Sequence, residues 1–194
     1  VRMVESNAHI NTRAPDWESQ DASTYRYSFH RGTDVPFGSH NRHGLYHCNF
    51  VKTLTNLTEL GPDDGGTVVV AGSHKMDLPP EQLIECAYQD TSMIHQVVAP
   101  AGSTLLFAEP LIHATGRLTS ERERVIIITG YGPAQFPYWG DGVLTEAFKE
   151  QIPPNQHLLF HGRQNWNRRV KERENLMTPV DPRPFKLGVW NQRD

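Results

Sequence analysis

The sequence is poor in cysteine: Cys48 and Cys86 are its only two. They lie far apart, without the spacing of a zinc knuckle, so neither a disulfide framework nor a structural zinc site organises the chain. That usage fits a reducing, cytoplasmic setting. No apolar run approaches the roughly 20 residues of a membrane-spanning helix, and the opening residues hold no apolar signal-peptide core. Long basic blocks are missing too. The cluster Arg168, Arg169, Lys171 and Arg173 is interrupted by Glu172 and Glu174. This is the pattern of a solvated helical face, so neither nucleic acid nor a membrane surface is an expected partner. The HEXXH, CxxC and glycine-rich phosphate-binding motifs are absent, which leaves those chemistries without a footing.

What remains is an ordinary globular composition. The 194 residues are 37% hydrophobic and 21% charged, with a net charge of −3, enough for one domain, 1–194, with a substantial core. The opening residues 1–22 are polar and read as irregular, and the chain begins without an obvious start, as a piece of a longer protein would. From there, short β-favouring runs alternate with turn signals. Thr24–Phe29 alternates aromatic and polar residues and predicts a strand that delivers His30 into a turn at Arg31-Gly32-Thr33-Asp34. Residues 33–44 read as a long loop. Leu45–Leu60 predicts a long central strand, the Gly61–Gly66 stretch a turn, and Thr67–Ala71 a buried strand. Pro80–Tyr88 carries helical spacing, and His95–Val98 reads as a strand. Later come helices at Leu144–Gln151 and Asn165–Glu174. Strands without intervening helices over 23–131 predict an all-β sandwich or barrel with peripheral helices rather than a parallel α/β sheet.

The segment 101–132 concentrates the chemistry. Leu105–Phe107 leads to His113, and Arg124 opens the β-branched run Val125–Thr129; the two runs read as neighbouring strands. Arg124, Ile126 and Ile128 share one face because strand side chains alternate. An arginine heading an apolar face requires an anion, since an unpaired buried charge is very costly. That anion is either a protein carboxylate or a bound small acid. Ten histidines stand out in the composition. Imidazole is a common ligand of first-row metals, and His30 and His113 sit at strand edges where two ligands of one ion can meet. Each taken alone reads as structural.

Two segments carry a family resemblance. PDDGGTVVVAGSHK over 62–75 and AGSTLLFAEPLIHATG with Arg124 after it resemble the hallmark and distal-histidine segments of the phytanoyl-CoA dioxygenase family. That family comprises non-haem Fe(II)/2-oxoglutarate-dependent oxygenases, and the likeness runs over about 23–140. It implies a double-stranded β-helix, the cupin-like jelly roll, over 23–140 with a helical extension over 141–194. It also implies Fe(II) and 2-oxoglutarate as cofactors and a small organic substrate hydroxylated with O2. By position, His30 and His113 match the metal-binding histidines. Arg124 and Thr115 match the residues that hold the far carboxylate of 2-oxoglutarate. His74 and Lys75 belong to the hallmark, either as site residues or as a solvated strand end.

The chain departs from the family at the third ligand. The usual His-x-Asp reads His30-Arg31-Gly32 here. Asp34 or Glu109 is a candidate oxygen ligand. An exogenous anion or water is another, as in halogenases of this fold, and loss of the metal site, leaving a non-catalytic binding protein, is a third. His47-Cys48-Asn49 offers a different register for the first ligand. Fewer residues precede His30 than family members carry before their first metal-binding strand.

Overall fold

The computed structural model describes residues 1–32, 39–43, 45–133, 145–156 and 159–160. Nine strands are found among them. The larger sheet holds β1 (Arg2–Asn11), β4 (Val51–Asn56), β7 (Thr104–Ala108) and β9 (Arg124–Gly132), in the order β1-β9-β4-β7 with every pairing antiparallel. A smaller sheet holds β5 (Val68–Val70), β6 (Ile94–Gln96) and β8 (His113–Ala114), in the order β6-β5-β8. Its edge is extended by a bridge from His30 to His113. A separate pair, β2 (Ser39–Arg42) and β3 (Leu45–Cys48), forms a hairpin. The architecture is that of a jelly roll: two antiparallel sheets facing each other, with connections that cross between them.

Alternation along the strands builds the interior. On β4 the buried positions are Lys52, Leu54 and Asn56, and on β9 Arg124 and Ile126 are buried. Leu54, Phe107, Leu111 and Ile126 form an apolar cluster, and Val69 of the smaller sheet packs on it with Leu105 and Ile128. Val69 therefore faces the larger sheet. Its neighbours Val68 and Val70 face the other way, and Val70 is covered by the helix α1 (Pro80–Gln89) through Leu83 and Ala87. Proline sits in the first turn of α1, where its missing N–H costs nothing. A second helix, α2 (Glu146–Gln151), is capped by the Thr145 hydroxyl on Phe148 N. No helix among the described residues is long and apolar enough to cross a membrane.

Several expectations change. Residues expected to be irregular at the start of the chain form β1, which lies along all of β9 from Arg2↔Gly132 to Asn11↔Arg124. Its half-exposed, polar face hid it from a hydrophobicity reading. Thr24–Phe29 is not a strand; the chain arrives irregularly and pairs only at His30. Its aromatics stack on one another and on Tyr88 of α1 instead. The long strand Leu45–Leu60 is broken at Asn49–Phe50 into β3 and β4. The runs at 105–107 and 125–129 are not neighbours: β4 lies between β7 and β9, and His113 belongs to the opposite sheet. The helix expected at Asn165–Glu174 lies outside the described residues.

Candidate metal centre

His30 and His113 exchange both backbone hydrogen bonds, each N–H reaching the other's carbonyl at 3.0 Å. This places their rings 4.4 Å apart, centroid to centroid, at 55°. In each residue Nδ1 contacts the carbonyl two residues earlier, Ser28 at 3.0 Å for His30 and Leu111 at 2.8 Å for His113. A carbonyl can only accept, so Nδ1 carries a proton, and in the neutral ring Nε2 is the nitrogen with the lone pair. Imidazoles that bind metals are commonly oriented in this way. His113 is buried, its ring 4.8 Å from that of Phe107, centroid to centroid, in an edge-on arrangement. Burial pushes its pKa down to about 4; the Leu111 carbonyl opposes this, and the nearby His30 and Lys52 add to it. It is therefore neutral, as a metal ligand must be.

The carboxylate is less simply placed. Among the described residues no group of three or more His, Cys, Asp or Glu side chains is arranged to hold a metal ion. Asp34 lies outside the described residues. Glu109, just past β7, is fully buried. Lys52 Nζ lies 2.8 Å from Glu109 Oε1 and 3.2 Å from Glu5 Oε2, so one buried ammonium joins two carboxylates from β1 and the end of β7. Burial raises the Glu109 pKa; Lys52 counters it, Glu5 adds to it, and His30 lowers it. Glu109 Oε2 has no hydrogen-bond partner. The backbone N–H of Gly32 reaches the Glu109 carbonyl at 3.3 Å, and a Cβ added at Gly32 would fall on Glu109 Oε1. Only glycine fits there.

Arg124, the first residue of β9, is fully buried. Its Nη1 donates to Asn11 Oδ1 at 3.2 Å and its Nη2 to Thr67 Oγ1 at 3.0 Å, while Nε has no partner. Both partners are neutral, and no ion pair to Arg124 is formed among the described residues. Burial lowers its pKa. Asn56 lies on the same inward face of the neighbouring strand, opposite Ile126. It is also buried, and its Nδ2 has no partner. Two buried donors with unspent hydrogens call for an acceptor. Thr115 is exposed, and the hydroxyl beside Arg124 is that of Thr67. Gly116 crosses so close to Gly66 that a Cβ there would collide with the Gly66 carbonyl, which locks the segment after His113 against the one that leads to Thr67.

His47 sits on β3, paired with β2, whereas it is His30 that bridges to His113. His74 is half-buried, edge-on to Tyr46 at 5.0 Å, with Nδ1 unpartnered; burial and then Lys75 lower its pKa. Thr67, Asn11, Asn56 and Lys52 were not singled out from sequence. The signal for Lys52 and Asn56 was present in KTLTN, where every second position faces inward and reads Lys, Leu, Asn.

The jelly roll thus brings two imidazoles side by side and holds a buried arginine whose described partners are neutral side chains. The chain belongs to the phytanoyl-CoA dioxygenase (PhyH) family, which it matches over residues 16–126. Among solved structures it resembles HygX from Streptomyces hygroscopicus with nickel and 2-oxoglutarate bound. That likeness has 24% identity and a TM-score of 0.55, and covers 76% of this chain and 62% of HygX. HygX with iron bound gives 25% identity, a TM-score of 0.53 and coverage of 76% and 65%. HygX with nickel, 2-oxoglutarate and hygromycin B gives 25%, 0.53, and 72% and 59%. The chain thus spans less than two thirds of the length of these relatives. No curated protein sequence matches it.

Proposed function

We propose that this chain is an Fe(II)- and 2-oxoglutarate-dependent oxygenase that uses O2 to hydroxylate a small organic substrate. The observation that carries the reading is Arg124, a buried cation whose described partners are two neutral side chains. A charge left so is stable only where an anion completes the site. The register supports a short diacid. Val69 lies opposite His113, and Thr67, which touches Arg124, is the next residue on the same face. Same-face neighbours on a strand are about 7 Å apart, so His113 and Arg124 flank consecutive inward positions of one strand, as residues that would hold the two ends of one small ligand.

In this reading His30 and His113 hold the iron through Nε2, and Arg124 grips the far carboxylate of 2-oxoglutarate. Thr67 and Asn56 serve as neutral donors beside Arg124, with Thr115 outside that contact. Val69, Leu54, Phe107 and Ile126 line the interior between and exclude water. Bound iron and 2-oxoglutarate supply the activation of O2 for attack on an unactivated C–H bond. The HygX structures, with iron or with nickel, 2-oxoglutarate and hygromycin B, support the same cofactors and a small-molecule substrate.

The test is calorimetric titration of the Ni(II)-loaded protein with 2-oxoglutarate, beside a succinate assay with Fe(II). Wild type is expected to bind 2-oxoglutarate and form succinate, and Arg124→Met to do neither. Unchanged 2-oxoglutarate affinity or succinate formation in Arg124→Met would remove the proposal. A purely non-catalytic binding role would show as 2-oxoglutarate binding without stoichiometric metal.

A further inference from the structure

We infer that Glu109, which in the present arrangement faces Lys52 and makes no ligand group with the two histidines, turns to supply to the metal the carboxylate that position 32 lacks, so the ligand set would be His30, Glu109 and His113. The inference rests on the oxygenase reading above and deepens it. Gly32 is the place from which an aspartate in His-x-Asp would project. Here the Glu109 carboxylate already occupies the volume that a side chain at 32 would need. Backbone contact fixes the relation, because Gly32 N–H donates to the Glu109 carbonyl. The glycine and the glutamate therefore belong together, one making room for the other.

Glu109 also has capacity to spare. It is fully buried, and Oε2 meets no hydrogen-bond donor. A buried carboxylate oxygen in that condition is costly unless a cation or donor completes it. Lys52 approaches Oε1, but it has Glu5 as a second carboxylate. When Glu109 turns an oxygen to a metal, Lys52 keeps a counter-charge. Charge balance agrees. Lys52 with Glu5 is neutral, Arg124 with Glu109 is neutral in sum, and a divalent metal with a dianionic diacid adds no net charge to the interior.

The same geometry bears on the alternative raised by Gly32, a halide in the gap as in halogenases of this fold. A halide beside Gly32 would have to displace a buried carboxylate or lie against it, and like charges at that distance in a low-dielectric interior repel strongly. The gap is already filled by an anion.

The experiment uses the full chain with metal alone, so it is independent of 2-oxoglutarate. Co(II) and Ni(II) binding are followed by calorimetry and by the Co(II) visible spectrum. Wild type, Glu109→Gln, His113→Ala and the double variant Gly32→Asp with Glu109→Ala are compared, each checked for folding by circular dichroism. Glu109→Gln is expected to weaken metal binding by at least about tenfold and to alter the Co(II) spectrum. The double variant, which rebuilds His-x-Asp, is expected to recover most of the affinity. Adding chloride to the wild-type Co(II) protein is expected to leave the spectrum unchanged, a readout that needs no variant. Wild-type affinity in Glu109→Gln, or a chloride-dependent wild-type spectrum, would overturn the inference. Metal binding that survives His113→Ala would instead sink the oxygenase reading itself.

Discussion

Arg124 donates to Thr67 across the interior at 3.0 Å, tying the larger sheet to the segment that opens the smaller one. The link is between a charge and a neutral hydroxyl, so it fixes position without neutralising anything. A site built to receive an anion has this character, and it costs stability while the anion is away.

Replacing Arg124 by methionine should therefore separate stability from binding. Exchange of an uncompensated buried charge for an apolar side chain of similar length removes the cost of keeping that charge out of water. We expect the metal-free Arg124→Met protein to have a urea midpoint equal to or above that of wild type, together with loss of 2-oxoglutarate binding. A drop in stability of more than about 1 kcal/mol would mark Arg124 as a structural residue.

The stability of the metal-free protein should fall on acidification because of His113. Its native pKa is pushed down to about 4 from an ordinary 6.5, chiefly by burial. The unfolded chain thus takes up a proton between those values while the native state does not. Stability is full above pH 6.5 and declines as pH falls towards 4, by about 3 kcal/mol over the window. His113→Leu should flatten that part of the profile measured by denaturant unfolding. A profile in His113→Leu as steep as that of wild type would rule this cause out.

Legibility from sequence divided along physical lines. His30, His113 and Arg124 were visible because motif order and strand-edge position mark them, and the structure brings the two histidines together. Arg124 could be read as needing an anion because a charge heading an apolar strand face has few ways to be satisfied. β1 was invisible, since its face towards solvent is polar and its pairing with β9 is a long-range event that no local pattern encodes. The break between β3 and β4 was equally hidden, as both halves favour strand. The closeness of Gly32 and Glu109 could not be read at all. It depends on two loops meeting in space, and a glycine in a turn looks the same whether or not a carboxylate fills its side-chain volume.

Lys52 should matter more for stability than any surface cation. It stands between Glu109 and Glu5, and its removal leaves one buried and one partly buried carboxylate without that ammonium. Lys52→Met is expected to cost about 3–5 kcal/mol at neutral pH. The sign of its pH dependence is distinctive. Without the ammonium, burial and the nearby Glu5 hold the native Glu109 pKa above its unfolded value with less to oppose them. The variant should then recover towards wild type as pH falls below the native Glu109 value, because a protonated carboxyl can stay buried. Urea unfolding of both proteins at pH 7 and pH 5 checks this; a deficit that is unchanged or larger at pH 5 would refute it.

Asp64 should couple the turn after β4 to the diacid end of the site. Its carboxylate accepts from Gly61 N at 2.8 Å and Ser120 Oγ at 2.6 Å, and Arg122 Nη1 lies 3.2 Å away. Those contacts tie 61–66, which leads into Thr67, to the loop that leads into Arg124. The Ser120 hydroxyl, then the Gly61 N–H, hold the Asp64 pKa below its ordinary 3.8; burial opposes them and Arg122 adds to them. A depressed native pKa means the stabilisation is present above the unfolded value and is lost as pH falls through the native one. Asp64→Ala should cost about 1–3 kcal/mol at pH 7, a deficit that narrows below pH 4. Because Thr67 and Arg124 both lose an anchor, 2-oxoglutarate affinity of the Ni(II)-loaded protein should fall several-fold while metal affinity stays as in wild type. Equal loss of metal and diacid binding would show that the turn supports the whole fold rather than this end of the interior.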